Sequence, residues 1–167
     1  MEHSSFAIDM KNIVKQFGSV IANDHVNFQV KKGEIHALLG ENGAGKSTIM
    51  SMLSGIYRAD SGTISINDQF VNIRSPKESM DLGIGMVHQN FRLVDTLTAL
   101  ENIILGETQH KWRGSSWMKK KKQQIEDISE QYGLTFPVSV PIWQLSVGEQ
   151  QRVEIVKTLY KGADIII

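Results

Sequence analysis

Eight residues constrain this chain more than any others: Gly40-Glu41-Asn42-Gly43-Ala44-Gly45-Lys46-Ser47, which fit the pattern G-x-x-x-x-G-K-[ST]. That pattern carries meaning only between a strand and a helix, and both are predicted here. Residues 35–39 form a short, mostly apolar run. Ile49, Met52 and Leu53 share one face of a helix over 46–54, with Gly55 as its stop. The glycines let the backbone curl until successive amide N–H groups face inward, with no Cβ in the way of a phosphate. The helix adds its unsatisfied first-turn N–H groups and the positive end of its dipole. Lys46 supplies a mobile point charge and Ser47 a hydroxyl suited to Mg²⁺. A glycine-rich turn that merely caps a helix accounts for Gly43 and Gly45 but not for Lys-Ser in register. A nucleotide is therefore the expected ligand, held in an α/β fold.

The flanking pattern extends that fold. Strands are predicted over 6–14 and 21–30, with a turn at Gly18-Ser19. A hairpin is predicted over 62–73, turning at Asn67-Asp68. A short helix over 76–82 begins with Pro76, and a strand follows over 84–88. Beyond Phe91 the pattern turns helical. Helices are predicted over 97–105, 119–132 and 147–161, separated by an irregular stretch over 106–117 and a loop carrying Pro137 and Pro141. A last strand is expected over 163–167.

Composition narrows the function. The 18 Lys and Arg balance 18 Asp and Glu, which argues against a general nucleic-acid binder. With no cysteine there are no disulfides and no thiolate metal sites. The five histidines, His3, His25, His36, His88 and His110, lack metal-ligand spacing, so a zinc hydrolase is not expected. Glu2, Asp9 and Lys11 break up the first residues, and no apolar run approaches the ~20 residues that a bilayer demands. The lysine run over 119–122 reads as the solvated start of a helix.

A second motif selects among phosphate-loop proteins: Leu145-Ser146-Val147-Gly148-Glu149-Gln150-Gln151-Arg152. Locally it is a capping box, with Ser146 as N-cap and Glu149 three residues on. It opens a helix whose expected buried face is Val153, Val156 and Tyr160. The helix start, with Ser146 Oγ and the Gly148 N–H, is also an anion site. The segment resembles the signature motif of ABC ATPases, L-S-G-G-Q-Q-Q-R, and the resemblance runs from about Phe6 to Ile167. Gln89, in Met86-Val87-His88-Gln89-Asn90, matches the family's Q-loop glutamine, and Phe17 matches the aromatic that stacks on adenine.

The resemblance implies a P-loop NTPase core of the ABC type, with an N-terminal antiparallel β-subdomain and a helical insertion. This would be one domain, its core in 1–90 and 146–167 and its helical subdomain in 91–145. It implies ATP and Mg²⁺, with nucleotide contacts at Phe17, Gly40, Asn42, Gly43, Ala44, Gly45, Lys46, Ser47, Thr48, Ser146, Gly148 and Glu149. It further implies catalytic roles for Lys46 and Gln89, and metal contacts at Ser47 and Gln89. Gly85-Met86-Val87-His88-Gln89, Leu93-Val94 and Glu101-Asn102-Ile103-Ile104-Leu105-Gly106 look most like importers of nucleosides or simple sugars, with the nucleoside branch slightly favoured. The implied partners are a second ABC cassette (on the same polypeptide or as a dimer mate), integral membrane permease subunits and, indirectly, a solute-binding protein. No nucleic acid is expected. The implied location is peripheral, on the cytoplasmic face of the membrane.

The chain departs from the family pattern at three places. Val147 replaces the first signature glycine and Glu149 the glutamine, and Phe17 replaces the commoner tyrosine. The sequence stops at Ile165-Ile166-Ile167, where the family's strand continues into an aspartate and the catalytic glutamate. A fragment lacking the C-terminal part of the core is therefore expected, inactive in hydrolysis by itself. Two alternatives stand beside the importer reading: a soluble ABC-type ATPase without a permease, and a non-hydrolysing nucleotide-binding fragment.

Overall fold

The computed structural model describes residues 6–88, 91–107 and 114–167. The chain divides into two compact units, one running to Ile84 and one spanning Gly85–Ile166, with Ile167 grouped with the first.

The first unit is built on an antiparallel sheet in the order β2-β1-β3-β4. Its strands are β1, Phe6–Phe17; β2, Val20–Lys31; β3, Ser61–Ile66; and β4, Gln69–Val71. Strict alternation along β1 would bury only one parity of residue. Ile8 and Met10 are buried, yet so is Ile13. The register shifts between Met10 and Ile13, at Asn12, whose φ is 52°. This bulge turns the second half of the strand inward. The β3–β4 hairpin turns on Asn67 and Asp68, with φ of 51° and 63°, as a two-residue loop of the left-handed kind requires. Helix α1, Lys46–Leu53, buries Ile49, Met52 and Leu53, the three residues that its periodicity selects. Helix α2, Pro76–Asp81, is capped by Ser75 Oγ, which accepts from Glu78 N at 3.2 Å. Buried Ser79 donates from Oγ to the Leu53 carbonyl at 2.7 Å, which satisfies a carbonyl left over at the end of α1.

The strand expected over 35–39 does not form. Its residues pair with no described strand, and Ile35 and Leu39 are 101% and 88% exposed. An apolar run becomes a strand only where neighbouring backbone completes its ladder, and the four-stranded sheet ends at β2 and β4 without reaching it.

The second unit is mostly helical. It contains α3, Ala99–Ile103; α4, Ser115–Gln131; α5, Val147–Tyr160; and a 3₁₀ turn at Ile142–Gln144. Its core joins Leu100, Ile103, Ile125, Ile142, Val153 and Val156. Helix α3 is shorter than expected because Thr98 is its N-cap, in a capping box with Glu101. Its first amides are met across the fold: Ala99 N donates to Val140 O at 3.1 Å and Leu100 N to Val138 O at 2.9 Å. Helix α4 begins four residues before the expected start.

Of the lysine run, Lys121 turns inward. It donates to Glu107 Oε1 at 3.1 Å and to the Tyr160 hydroxyl, which itself donates to Glu107 at 2.5 Å. Tyr160 is accordingly only half-buried. The expected strands over 84–88 and 163–167 contract to β5, Ile84–Gly85, and β6, Ile165–Ile166. Gly85 has no room for a side chain, since a Cβ there would lie 2.0 Å from Thr158 Cγ2.

Candidate functional site

Residues 40–47 form an open loop leading into α1; of the strand and helix expected to flank it, only the helix forms. Lys46 Nζ turns back over it and donates to the carbonyl oxygens of Gly40 and Glu41, both at 2.6 Å. These are contacts that a phosphate oxygen can replace as a charge-assisted partner. Gly43 and Gly45 have φ of 87° and 82°, where an L side chain is strained. Gly45 is also pressed against β2: a Cβ would sit 2.3 Å from the Ala22 carbonyl oxygen and 2.6 Å from Asn23 Nδ2. Gly45 is the N-cap of α1, and no side chain accepts from the helix's first turn. The leading N–H groups that every helix leaves over are thereby open to an incoming anion. Ser47, exposed on that first turn, presents a hard oxygen donor. Mg²⁺ takes such a donor together with phosphate oxygens and water, so the residue fits that ion.

Asn23 was not picked out by the sequence. It is 3% exposed, and its Nδ2 donates to the Gly45 carbonyl at 3.4 Å. Its Oδ1 is buried without a hydrogen-bond partner among the described residues. A lone asparagine in a strand gives no signal of this kind; only the close approach of Gly45 reveals it.

The other motif residues fall as follows. Phe17, the last residue of β1, is 41% exposed and meets Tyr57 edge to face. Gln89 lies outside the described residues. His88 is half-buried. Burial first, and then the nearby Arg92 guanidinium, hold its pKa below the ordinary 6.5, so it favours the neutral imidazole. A groove of about 390 Å³ lined by Tyr57, Arg58, Asp60, Thr63, Phe70 and Ile73 contains none of the loop residues.

In the second unit, Ser146 caps α5. Its Oγ accepts from Glu149 N at 3.3 Å and donates to Glu149 Oε2 at 2.7 Å, while its own N–H donates to Oε2 at 2.8 Å. Those bonds from Ser146, the side-chain one first, hold the Glu149 carboxyl below its usual range. The single hydroxyl proton of Ser146 is thus committed to Glu149, and to donate to a phosphate it must leave that carboxylate. Val147 beside it is 71% exposed and Gly148 is open.

Glu154, on the inner side of α5, is another residue that sequence reasoning passed over. It is 3% exposed, and its Oε1 accepts from Arg92 N at 2.8 Å. Lys157 reaches the Arg92 carbonyl at 3.0 Å. Together they fasten the segment just after residues 89–90 to the helix that carries Ser146.

The ABC transporter family matches residues 23–167. The chain belongs to the ABC transporter family. Its relatives include the guanosine import ATP-binding protein NupO of Bacillus subtilis (strain 168), 54% identical over 162 residues, covering 97% of this chain and 32% of that protein. The nucleoside import ATP-binding protein NupA of Lactococcus lactis subsp. cremoris (strain MG1363) is 52% identical over 160 residues, covering 96% of this chain and 31% of that protein. The chain therefore spans about a third of the length of these relatives. Among solved structures, the ADP conformation of an ATP-binding cassette of an ABC transporter superposes with a TM-score of 0.81. It is 28% identical and covers 96% of this chain and 67% of that one. The expected fold class, an ABC-type α/β cassette with an antiparallel N-terminal sheet followed by helices, is borne out.

Proposed function

We propose that this chain is the ATP-binding part of an ATPase subunit that powers import of a nucleoside, with a simple sugar as the neighbouring possibility in the same family branch. The observation that carries the reading is the loop at 40–47. Among the described residues its Lys46 ammonium is held by two exposed backbone carbonyls, at the uncapped start of α1. Those features suit a triphosphate, with the backbone N–H groups and Lys46 holding the phosphates and Phe17 meeting the base. Mg²⁺, when bound with the nucleotide at Ser47, would neutralise phosphate charge. The names of the nucleoside-import relatives support the choice of solute.

In the same reading, Ser146 and Gly148 face the nucleotide of an opposing cassette, and residues 91–145 form the helical insertion that meets a membrane permease. Gln89 serves the metal and the attacking water. Hydrolysis belongs to the whole protein. No helix among the described residues is long and apolar enough to cross a membrane, so attachment to the cytoplasmic face would come through the permease. Lys46→Ala tests the proposal by titration calorimetry with Mg-ATP. The variant is expected to lose binding, and retention of wild-type affinity would overturn the assignment of the loop.

A further inference from the structure

Phe17 is not a lone ring at the end of a strand. The loop following α1 brings Tyr57 against it, with ring centroids 5.0 Å apart and planes at 69°. Asp60, three residues on, ties that loop to the last residues of β1 by three bonds. Its N–H donates to the Val14 carbonyl at 2.9 Å, its Oδ1 accepts from Lys15 Nζ at 2.8 Å, and its Oδ2 accepts from Gln16 N at 2.7 Å. Lys15 Nζ, so held, lies 5.2 Å from the centroid of the Phe17 ring. Both aromatic rings keep a similar share of open surface, 41% for Phe17 and 40% for Tyr57.

The physical consequence is preorganisation. A phenylalanine this exposed would ordinarily sample several rotamers, and ordering it on binding would cost affinity. Here the edge-to-face partner and the ammonium favour one ring orientation before any ligand arrives. The cluster is also stable in charge. The Lys15 contact, and next the Gln16 amide, hold the Asp60 carboxyl below its usual range, so it is a carboxylate throughout neutral pH.

We infer that Tyr57, Asp60 and Lys15 are positioning residues that pre-set Phe17 as a platform for the nucleotide's base, so that they govern affinity for the base and not for the phosphates. The inference rests on the proposed reading of Phe17 and the phosphate loop. None of the three residues belongs to either sequence motif. Tyr57 and Asp60 enter through a loop 40 or more residues away in sequence from Phe17 and are joined to it only by the fold.

The test compares a ligand with a base to one without. The full chain is titrated with Mg-ATP and with inorganic tripolyphosphate, as wild type and as Tyr57→Leu, Asp60→Asn and Tyr57→Phe. Tyr57→Leu keeps apolar bulk while removing the ring, and Asp60→Asn keeps shape while removing the charge. Each is expected to weaken Mg-ATP about threefold to tenfold and to leave tripolyphosphate unchanged, while Tyr57→Phe restores wild-type ATP affinity. Wild-type ATP affinity in both Tyr57→Leu and Asp60→Asn, or equal loss of both ligands in both variants, overturns the inference. The underlying reading fails separately. If the wild-type chain binds tripolyphosphate no more weakly than ATP, the base platform falls and the phosphate loop stands. If it binds neither ligand, both fall.

Discussion

Replacing Gly45 by alanine puts a methyl group 2.3 Å from the Ala22 carbonyl oxygen and 2.6 Å from Asn23 Nδ2, at a backbone φ of 82°. Two costs add. The left-handed conformation strains any residue with a Cβ by ~1–2 kcal/mol. The overlap is with backbone and with a buried side chain, so β2 or the loop must move, at ~1–3 kcal/mol by analogy with overpacked cores. Gly43 supplies the control within the same loop. Its φ is 87°, but a Cβ there meets nothing within 4 Å, so Gly43→Ala bears the conformational cost alone. The difference between the variants is therefore about 1–3 kcal/mol. Urea unfolding followed by far-UV circular dichroism reads it directly. With an m-value of ~2 kcal/mol/M, the Gly45→Ala midpoint should fall roughly 0.5–1.5 M below that of Gly43→Ala. Equal midpoints, or a less stable Gly43→Ala, would refute the claim that Gly45 is required by its contact with β2.

Three further outcomes follow from the second unit. Ser146→Ala removes the cap of α5 and should cost about 1 kcal/mol in urea unfolding. The partner carboxylate adds a pH signature. Because the folded pKa of Glu149 is lowered from 4.5, its contribution is present above that value and lost as pH falls through the lower folded pKa. Glu149→Gln should flatten stability over that acid range, and an unchanged slope would sink the capping argument. His88 acts nearer neutrality. Its folded pKa lies below the ordinary 6.5, so between the two values the unfolded chain binds the extra proton. Stability is then full above about pH 6.5 and declines as pH drops toward the folded value. His88→Asn should abolish that decline, as measured by thermal unfolding across pH 5–8.

Much of the site was legible because its chemistry is written in contiguous residues. The loop at 40–47 carries glycine where φ is positive, at Gly43 and Gly45, so its composition announces its shape. The same holds for Ser146 and Glu149, whose capping box is a three-residue spacing, and for Ile49, Met52 and Leu53 on the buried face of α1. The miss at 35–39 has the opposite cause. Apolar content told of a segment that wants burial, but strand formation needs a backbone ladder, and no described strand pairs with it although the His36 ring packs against Phe28 of β2. Glu154 was invisible for a related reason. A glutamate on a helix ordinarily faces water, and the Arg92 amide placed against it, with the Lys157 ammonium 3.7 Å from the same oxygen, explains its burial.

The sequence by itself thus determined the glycine-rich loop, the capped helix that carries Ser146 and the hairpin turning at Asn67-Asp68, since each depends on backbone conformations and spacings within a few residues. Only the tertiary structure decided which side chains support them: Asn23 on the Gly45 carbonyl, Asp60 and Tyr57 around Phe17, and Glu154 under Arg92. Those contacts join residues 22 to 62 positions apart in the sequence. Hydrogen bonds and ring contacts act over a few ångströms of space, so a linear pattern carries no trace of them until the chain has folded.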